Sequence, residues 1–307
     1  MSTTPRLVDL WERSLYRLMR WLPVELTSAI GSFVVRLNVK LNRADILAGA
    51  RHNLKLHDPS LTEPELQKMV WRFLDNVGRV MAEFAILDRL IPEGRVELAF
   101  DPAFMAMVGR DPLMAIVLHT GNWEVIPAGL QSAGLSCASF YEPPQSSFQR
   151  EVAENARTRF GLRLLAPTRR GIQDAITILK ARGCVALFGD EARHQTSMAP
   201  LFGRKPHDRG NLAIVARLAR RTDAHIVTAH CERLGSCNFR LVISKPQPMP
   251  AQSNANRLAD VAFLNALIEP IVSANIDRWY FLDDSRAELE PRRAAADGGY
   301  SVSEARG

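Results

Sequence analysis

The stretch Ile116-Val117-Leu118-His119-Thr120-Gly121-Asn122-Trp123-Glu124 runs an apolar strand straight into a histidine, a glycine-containing turn and a carboxylate. Residues five apart on a continuous helix point roughly 140° away from each other, so His119 and Glu124 could not meet on one. A strand-to-helix turn over 120–122, with Gly121 free to take unusual dihedrals, lets Glu124 fold back toward the imidazole. A carboxylate on one ring nitrogen fixes the tautomer and makes the other nitrogen a better base. The same letters also read as a capped turn whose His and Glu satisfy local backbone groups. Either way the histidine ends a strand, where open α/β sheets bind their ligands.

Outward from this segment, short apolar runs at 113–118, 135–140, 162–165, 184–188, 225–229 and 239–244 read as strands. Helical patterns at 123–131, 147–160, 171–181 and 209–221 separate them. Apolar runs without alternation, separated by helices, predict an α/β fold with a largely parallel central sheet covered on both faces. Upstream, Thr62 and Glu65 form a capping box. It opens a long helix with apolar positions from Leu66 to Phe84, closed by Pro92 and Gly94. A last helix is expected at about 255–275. The chain thus divides into N-terminal amphipathic helices over 1–43, one α/β domain over 44–285, and a polar tail over 286–307 expected to be disordered.

With 307 residues, 47% of them hydrophobic and 23% charged, the composition is that of a globular protein. The longest uncharged stretch found, 125–141, contains Pro127 and Gln131. It falls short of the roughly 20 apolar residues a spanning helix needs. Arg6, Asp9, Glu12 and Arg13 interrupt any signal-peptide core. The four scattered cysteines, Cys137, Cys184, Cys231 and Cys237, suggest reduced thiols in the cytoplasm. Cys231 and Cys237 lie near His225 and His230 but lack the usual zinc spacing. No G-x-S-x-G elbow, P-loop or G-x-G-x-x-G is found.

The net charge of +6 is concentrated at the start, where Arg6, Arg13, Arg17, Arg20, Arg36, Lys40 and Arg43 face only Asp9, Glu12 and Glu25. On a helical wheel, residues 6–22 split into an apolar half containing Trp11 and Trp21 and a charged half containing four arginines. That is the pattern of a helix lying in a membrane interface, or of a surface helix packed on the core. A second amphipathic stretch follows Pro23 (Leu26, Ile30, Phe33, Val34, Leu37, Leu41). No known nucleic-acid motif accompanies the arginines.

The HTGNWE segment resembles the H-x4-D/E motif of the lysophospholipid acyltransferase superfamily. It is most similar to the bacterial lipid A biosynthesis acyltransferases, which add secondary lauroyl or myristoyl chains. The resemblance extends over about residues 50–286. Arg51-His52-Asn53-Leu54 is similar to the segment before the family's catalytic strand. Phe188-Gly189-Asp190-Glu191 falls where an Asp-Gln pair is usual, and Leu201-Phe202-Gly203-Arg204 matches an F-F-G-R stretch. Trp279-Tyr280-Phe281-Leu282 resembles the tryptophan-rich ending. Departures are acidic: Tyr141-Glu142-Pro143 stands for Y-R-P, and Asp283-Asp284-Ser285-Arg286 for a basic cluster.

What the resemblance implies is transfer of an acyl chain from a thioester, on acyl carrier protein or coenzyme A, to a hydroxyl of a membrane lipid, foremost a lipid A precursor. His119 would be the general base and Glu124 its orienting carboxylate. Arg204 would hold an acidic headgroup, with Arg193 and Arg169 as further cations. Asp190 and Glu191 would polarise Arg204 or line the acceptor pocket, and Asn122 would cap the helix or lie beside the substrate. No metal or redox cofactor is called for. The implied location is the cytoplasmic face of an inner membrane, bound peripherally and not to nucleic acid. Three alternatives stand beside this reading: another glycolipid or aminolipid acceptor, a lipid or thioester hydrolase, and a non-catalytic membrane-surface protein.

Overall fold

The computed structural model describes residues 4–143, 146–251 and 256–288, without the side chains of residues 4–12, 148 and 149. The apolar half of the first helix as far as Leu10 and Trp11, and the tail from 289 onward, lie outside the described residues or side chains. Four helices come first: α1 (Thr4–Trp21), α2 (Val24–Asn42), α3 (Ala44–His57) and α4 (Glu63–Glu83). The capping box forms at the start of α4, where the Thr62 N–H donates to Glu65 Oε2 at 2.8 Å. Helices α2 and α4 cross backbone to backbone. A Cβ on Gly78 would stand 2.4 Å from the Gly31 carbonyl oxygen, so this crossing admits no side chain there.

After the short α5 (Leu87–Leu90), strands and helices alternate. They run β1 (Val96–Phe100), α6 (Pro102–Met107), β2 (Leu113–Val117), α7 (Val125–Ser132), β3 (Ala138–Phe140), α8 (Ser147–Arg159), β4 (Arg163–Leu165), α9 (Arg169–Lys180) and β5 (Cys184–Phe188). A hairpin follows, β6 (Glu191–Arg193) with β7 (Thr196–Ala199), then α10 (Gly210–Thr222), β8 (His225–Arg233), β9 (Phe239–Ile243) and α11 (Arg257–Ala274). Among the described residues the central sheet has seven strands in the order β1-β9-β8-β2-β5-β3-β4. Every pairing in it is parallel except β8 with β9. The mainly parallel sheet expected from the sequence is therefore present.

Both faces of the sheet are covered, which explains the unbroken apolar runs. Met114, Ile116 and Leu118 pack into the larger core beneath α3, α4, α9, α10 and α11. Leu113, Ala115 and Val117 pack on the other face with Phe104, Trp123 and Ile126 from α6 and the segment entering α7. His119 continues the second set by the two-residue period of a strand. The sequence reading did not anticipate β1, the β6–β7 hairpin or α3.

Candidate active site

His119 follows the C-terminal end of β2, the central strand between β5 and β8. The chain turns sharply there. Gly121 has φ +57°, and a Cβ would stand 2.3 Å from the Cys231 carbonyl oxygen, so only glycine lets the turn lie against β8. Thr120 Oγ1 donates to the same carbonyl at 3.2 Å. Asn122, fully buried, accepts from the Glu124 N–H through Oδ1 and donates through Nδ2 to Glu83 at 2.7 Å. Asn122 is thus a tie within the turn and is closed to solvent.

The carboxylate on the imidazole is Asp190. His119 Nδ1 lies 3.0 Å from Asp190 Oδ1, while Asp190 Oδ2 accepts from the His119 backbone N–H at 2.7 Å and from Trp279 Nε1 at 2.8 Å. Asp190 is wholly buried. An ionised carboxylate only accepts, so Nδ1 carries the proton and Nε2 the lone pair. Among the described residues Nε2 has no hydrogen-bond partner. The ring stacks on Phe188 with centroids 3.9 Å apart and meets Trp123 and Phe281 edge-on at 5.0 Å each.

The expected His119–Glu124 contact is corrected here. Glu124, also buried, accepts from Arg157 Nη2 at 2.5 Å, from Arg157 Nε at 3.2 Å and from Trp123 Nε1 at 3.1 Å. The physical reason is competition. A guanidinium fork offers a carboxylate two charge-assisted bonds, and β5 already delivers another carboxylate to the ring. Burial alone would push the Arg157 guanidinium down, but the Glu124 charge holds it above its ordinary value.

An apolar cavity descends from this point between the sheet and α7–α8. Phe188, Ala186 and Cys184 of β5 and Val117 and Ala115 of β2 line one side, Ile126, Leu130 and Leu162 another. Glu124, Arg157, Tyr141 and Ser139 are the polar residues in its lining. The i, i+2, i+4 spacing from Phe188 to Cys184 makes the β5 wall about 13 Å long at a strand rise of about 3.3 Å per residue.

The other sequence candidates serve the scaffold around Asp190. Glu191 Oε1 accepts from the Asn211 N–H at 2.5 Å in the first turn of α10, and its second oxygen accepts from Arg193 Nε at 3.2 Å. Burial pushes its carboxyl up. Arg204 spends its donors on the carbonyls of Leu201, Ser197, Pro200 and Ala287. It ties the loop after β7 to the segment at Ala287, and burial pulls its guanidinium down. Arg193 stays exposed. Asn53, from the Arg51–Leu54 stretch, donates to the Leu282 and Asp284 carbonyls at 2.6 and 2.7 Å, holding the segment that covers His119. Cys231 and Cys237 are fully buried, burial pushes the Cys231 thiol up to about 12, and among the described residues no three ligand side chains converge on a metal position.

The family model for bacterial lipid A biosynthesis acyltransferases matches residues 8–285. The chain belongs to that family, and with it come acyl transfer in lipid A biosynthesis, an acyl donor and a lipid acceptor. No curated protein matches the sequence.

The acidic departure near the site gives a pH prediction. Burial, then the neighbouring Asp283 charge, raises the Asp284 carboxyl to about 6. A raised acid binds its proton more tightly when folded, so its contribution to stability is present below about pH 4 and lost as pH rises through 6. Asp284→Asn is expected to raise the melting temperature at pH 8 and to leave it unchanged at pH 4. An equal shift at both values would contradict the assignment.

Proposed function

We propose that the protein moves a fatty acyl chain from a thioester, on acyl carrier protein or coenzyme A, to a hydroxyl of a lipid A precursor at a membrane surface. The observation that carries this reading is an imidazole anchored through Nδ1 by a buried carboxylate and packed on Phe188 and Trp123, two rings that line an apolar cavity. Nε2 takes the proton of the acceptor hydroxyl as its oxygen attacks the thioester carbonyl. The tetrahedral oxyanion collapses, the C–S bond breaks, and the imidazolium returns the proton to the departing thiolate. Asp190 stays ionised and balances the imidazolium. Such a base contributes about 10²–10⁴-fold; orientation and stabilisation of the oxyanion supply the rest. Glu124 acts by holding Arg157, a cation in the lining of the cavity that takes the chain. Of the acceptor candidates, Arg193 and Arg169 are exposed and open to an acidic headgroup, while Arg204, Glu191 and Asn122 support loops.

An interfacial location fits the first two helices. Trp21 is 88% exposed and Phe33 66%, and Leu18, Leu26, Val34, Leu37 and Leu41 are exposed beside them, with Arg36, Lys40 and Arg43 at the same surface. A broad apolar face bordered by cations suits an anionic bilayer surface. Among the described residues no helix is long and apolar enough to cross a membrane.

His119→Ala and Asp190→Asn are expected to cut acyl transfer by about 10²-fold or more, measured below the melting temperature of each variant. Either variant keeping wild-type turnover sinks the mechanism. Ala186→Phe, which fills the cavity midway along β5, is expected to shift donor preference toward shorter chains; an unaltered preference assigns the chain to another channel. Removal of residues 1–22 is expected to move the protein from membrane to soluble fractions, and unchanged partitioning would refute interfacial binding.

A further inference from the structure

Glu83, the last residue of α4, and Arg233, the last of β8, form an ion pair inside the protein, with side chains 0% and 4% exposed. The contact is a two-pronged fork, Nη1 to Oε1 at 2.7 Å and Nη2 to Oε2 at 2.9 Å. Removing two charges from water is expensive, and apolar pairs of similar volume often stabilise a fold as well or better. What the charged pair supplies beyond packing is direction, because each of its hydrogen bonds has a fixed geometry.

Two of the remaining bonds lead toward the 119–124 turn, while others hold Ser28 and the Ser236 carbonyl. Glu83 Oε2 accepts from Asn122 Nδ2 at 2.7 Å, and Oε1 from Ser28 Oγ at 2.6 Å. Arg233 Nε donates to Asn76 Oδ1 at 2.8 Å, and Asn76 Nδ2 donates to the Gly121 carbonyl at 2.9 Å. The same Nδ2 reaches the Arg278 carbonyl at 3.2 Å, and Arg278 Nη1 donates to the Arg233 carbonyl at 2.6 Å. Arg278 directly precedes Trp279, the indole that fixes Asp190. The pair therefore grips the turn at two consecutive residues, Gly121 and Asn122, and steadies the segment that orients the carboxylate on His119. None of these atoms touches the apolar cavity or the imidazole.

We propose that Glu83 and Arg233 are positioning residues for acyl transfer: through Asn122 and Asn76 they hold the 119–124 turn so that His119 Nε2 meets the thioester in register. This rests on the acyltransferase reading above. A displacement of about 1 Å at such a turn can cost on the order of 10²-fold in rate. The substrate surface is untouched, so the loss falls on kcat and spares KM.

The test uses the full chain with Glu83→Gln, Arg233→Lys and Asn76→Ala, the last deleting the bonds to the Gly121 and Arg278 carbonyls and to Arg233 Nε while leaving the ion pair in place. Each is assayed well below its melting temperature with an acyl thioester and a lipid acceptor. The expected result is a 10–100-fold fall in kcat with KM within twofold. Adding Asn122→Ala to Glu83→Gln is expected to cost less than threefold more, because both act through one bond. Hydrogen–deuterium exchange supplies a readout independent of turnover: faster exchange confined to the peptides over 119–124 and 278–284, with β5 unchanged. Wild-type kcat in the folded variants, multiplying losses in the double variant, or exchange raised evenly over the whole chain each overturns the proposal. An inactive wild-type protein counts against the acyltransferase reading instead, and exchange over 119–124 then decides the positioning claim alone. If Glu83→Gln fails to fold, Arg233→Lys and Asn76→Ala carry the test.

Discussion

A single buried carboxylate organises this protein's site. Asp190 receives three N–H groups, from the His119 backbone, the His119 ring and the Trp279 indole. Two come from the residue beyond the end of β2 and the third from the segment after α11, and all meet a carboxylate just beyond the adjacent β5. Three donated hydrogen bonds offset the cost of burying that carboxylate away from water. Without it, the ring's tautomer, the approach of β2 to β5 at their ends and the covering segment at 279–284 would all lose a common reference.

The rest of the architecture serves that point. A parallel sheet buried on both faces brings β2 and β5 side by side in register, Val117 opposite Phe188, so the residues just beyond them meet. One face of those strands is filled by core. The other leaves an apolar cavity beneath α7 and α8, headed by the aromatic rings around His119. Two carboxylate pairs divide the labour: Asp190 with the imidazole, Glu124 with Arg157. Both carboxylates are buried, each with its own cation or proton donor, so neither competes for the other's partner.

Much of the fold was legible because strands buried on both faces leave uninterrupted apolar runs. The elements that escaped lacked that signature. β1 carries Glu97 on a half-exposed edge, and the β6–β7 hairpin reads Glu-Ala-Arg and Thr-Ser-Met-Ala, with no apolar run at all. His119 stood out from its local context, but its partner did not. Asp190 lies 71 residues further on, and only the sheet order brings β5 beside β2; proximity in sequence favoured Glu124. Arg157 gave no signal, being one of several arginines on a polar helix. The acyl-chain reading of HTGNWE came from resemblance, and the family match over residues 8–285 supports its general class.

The most direct measurement is mass spectrometry of purified protein incubated with a medium-chain acyl thioester and an under-acylated lipid A precursor. The account predicts an acceptor heavier by one ester-linked acyl chain, with thioester consumption that depends on the acceptor. Free fatty acid released at the same rate without acceptor, or no consumption of thioester from either carrier, would contradict it.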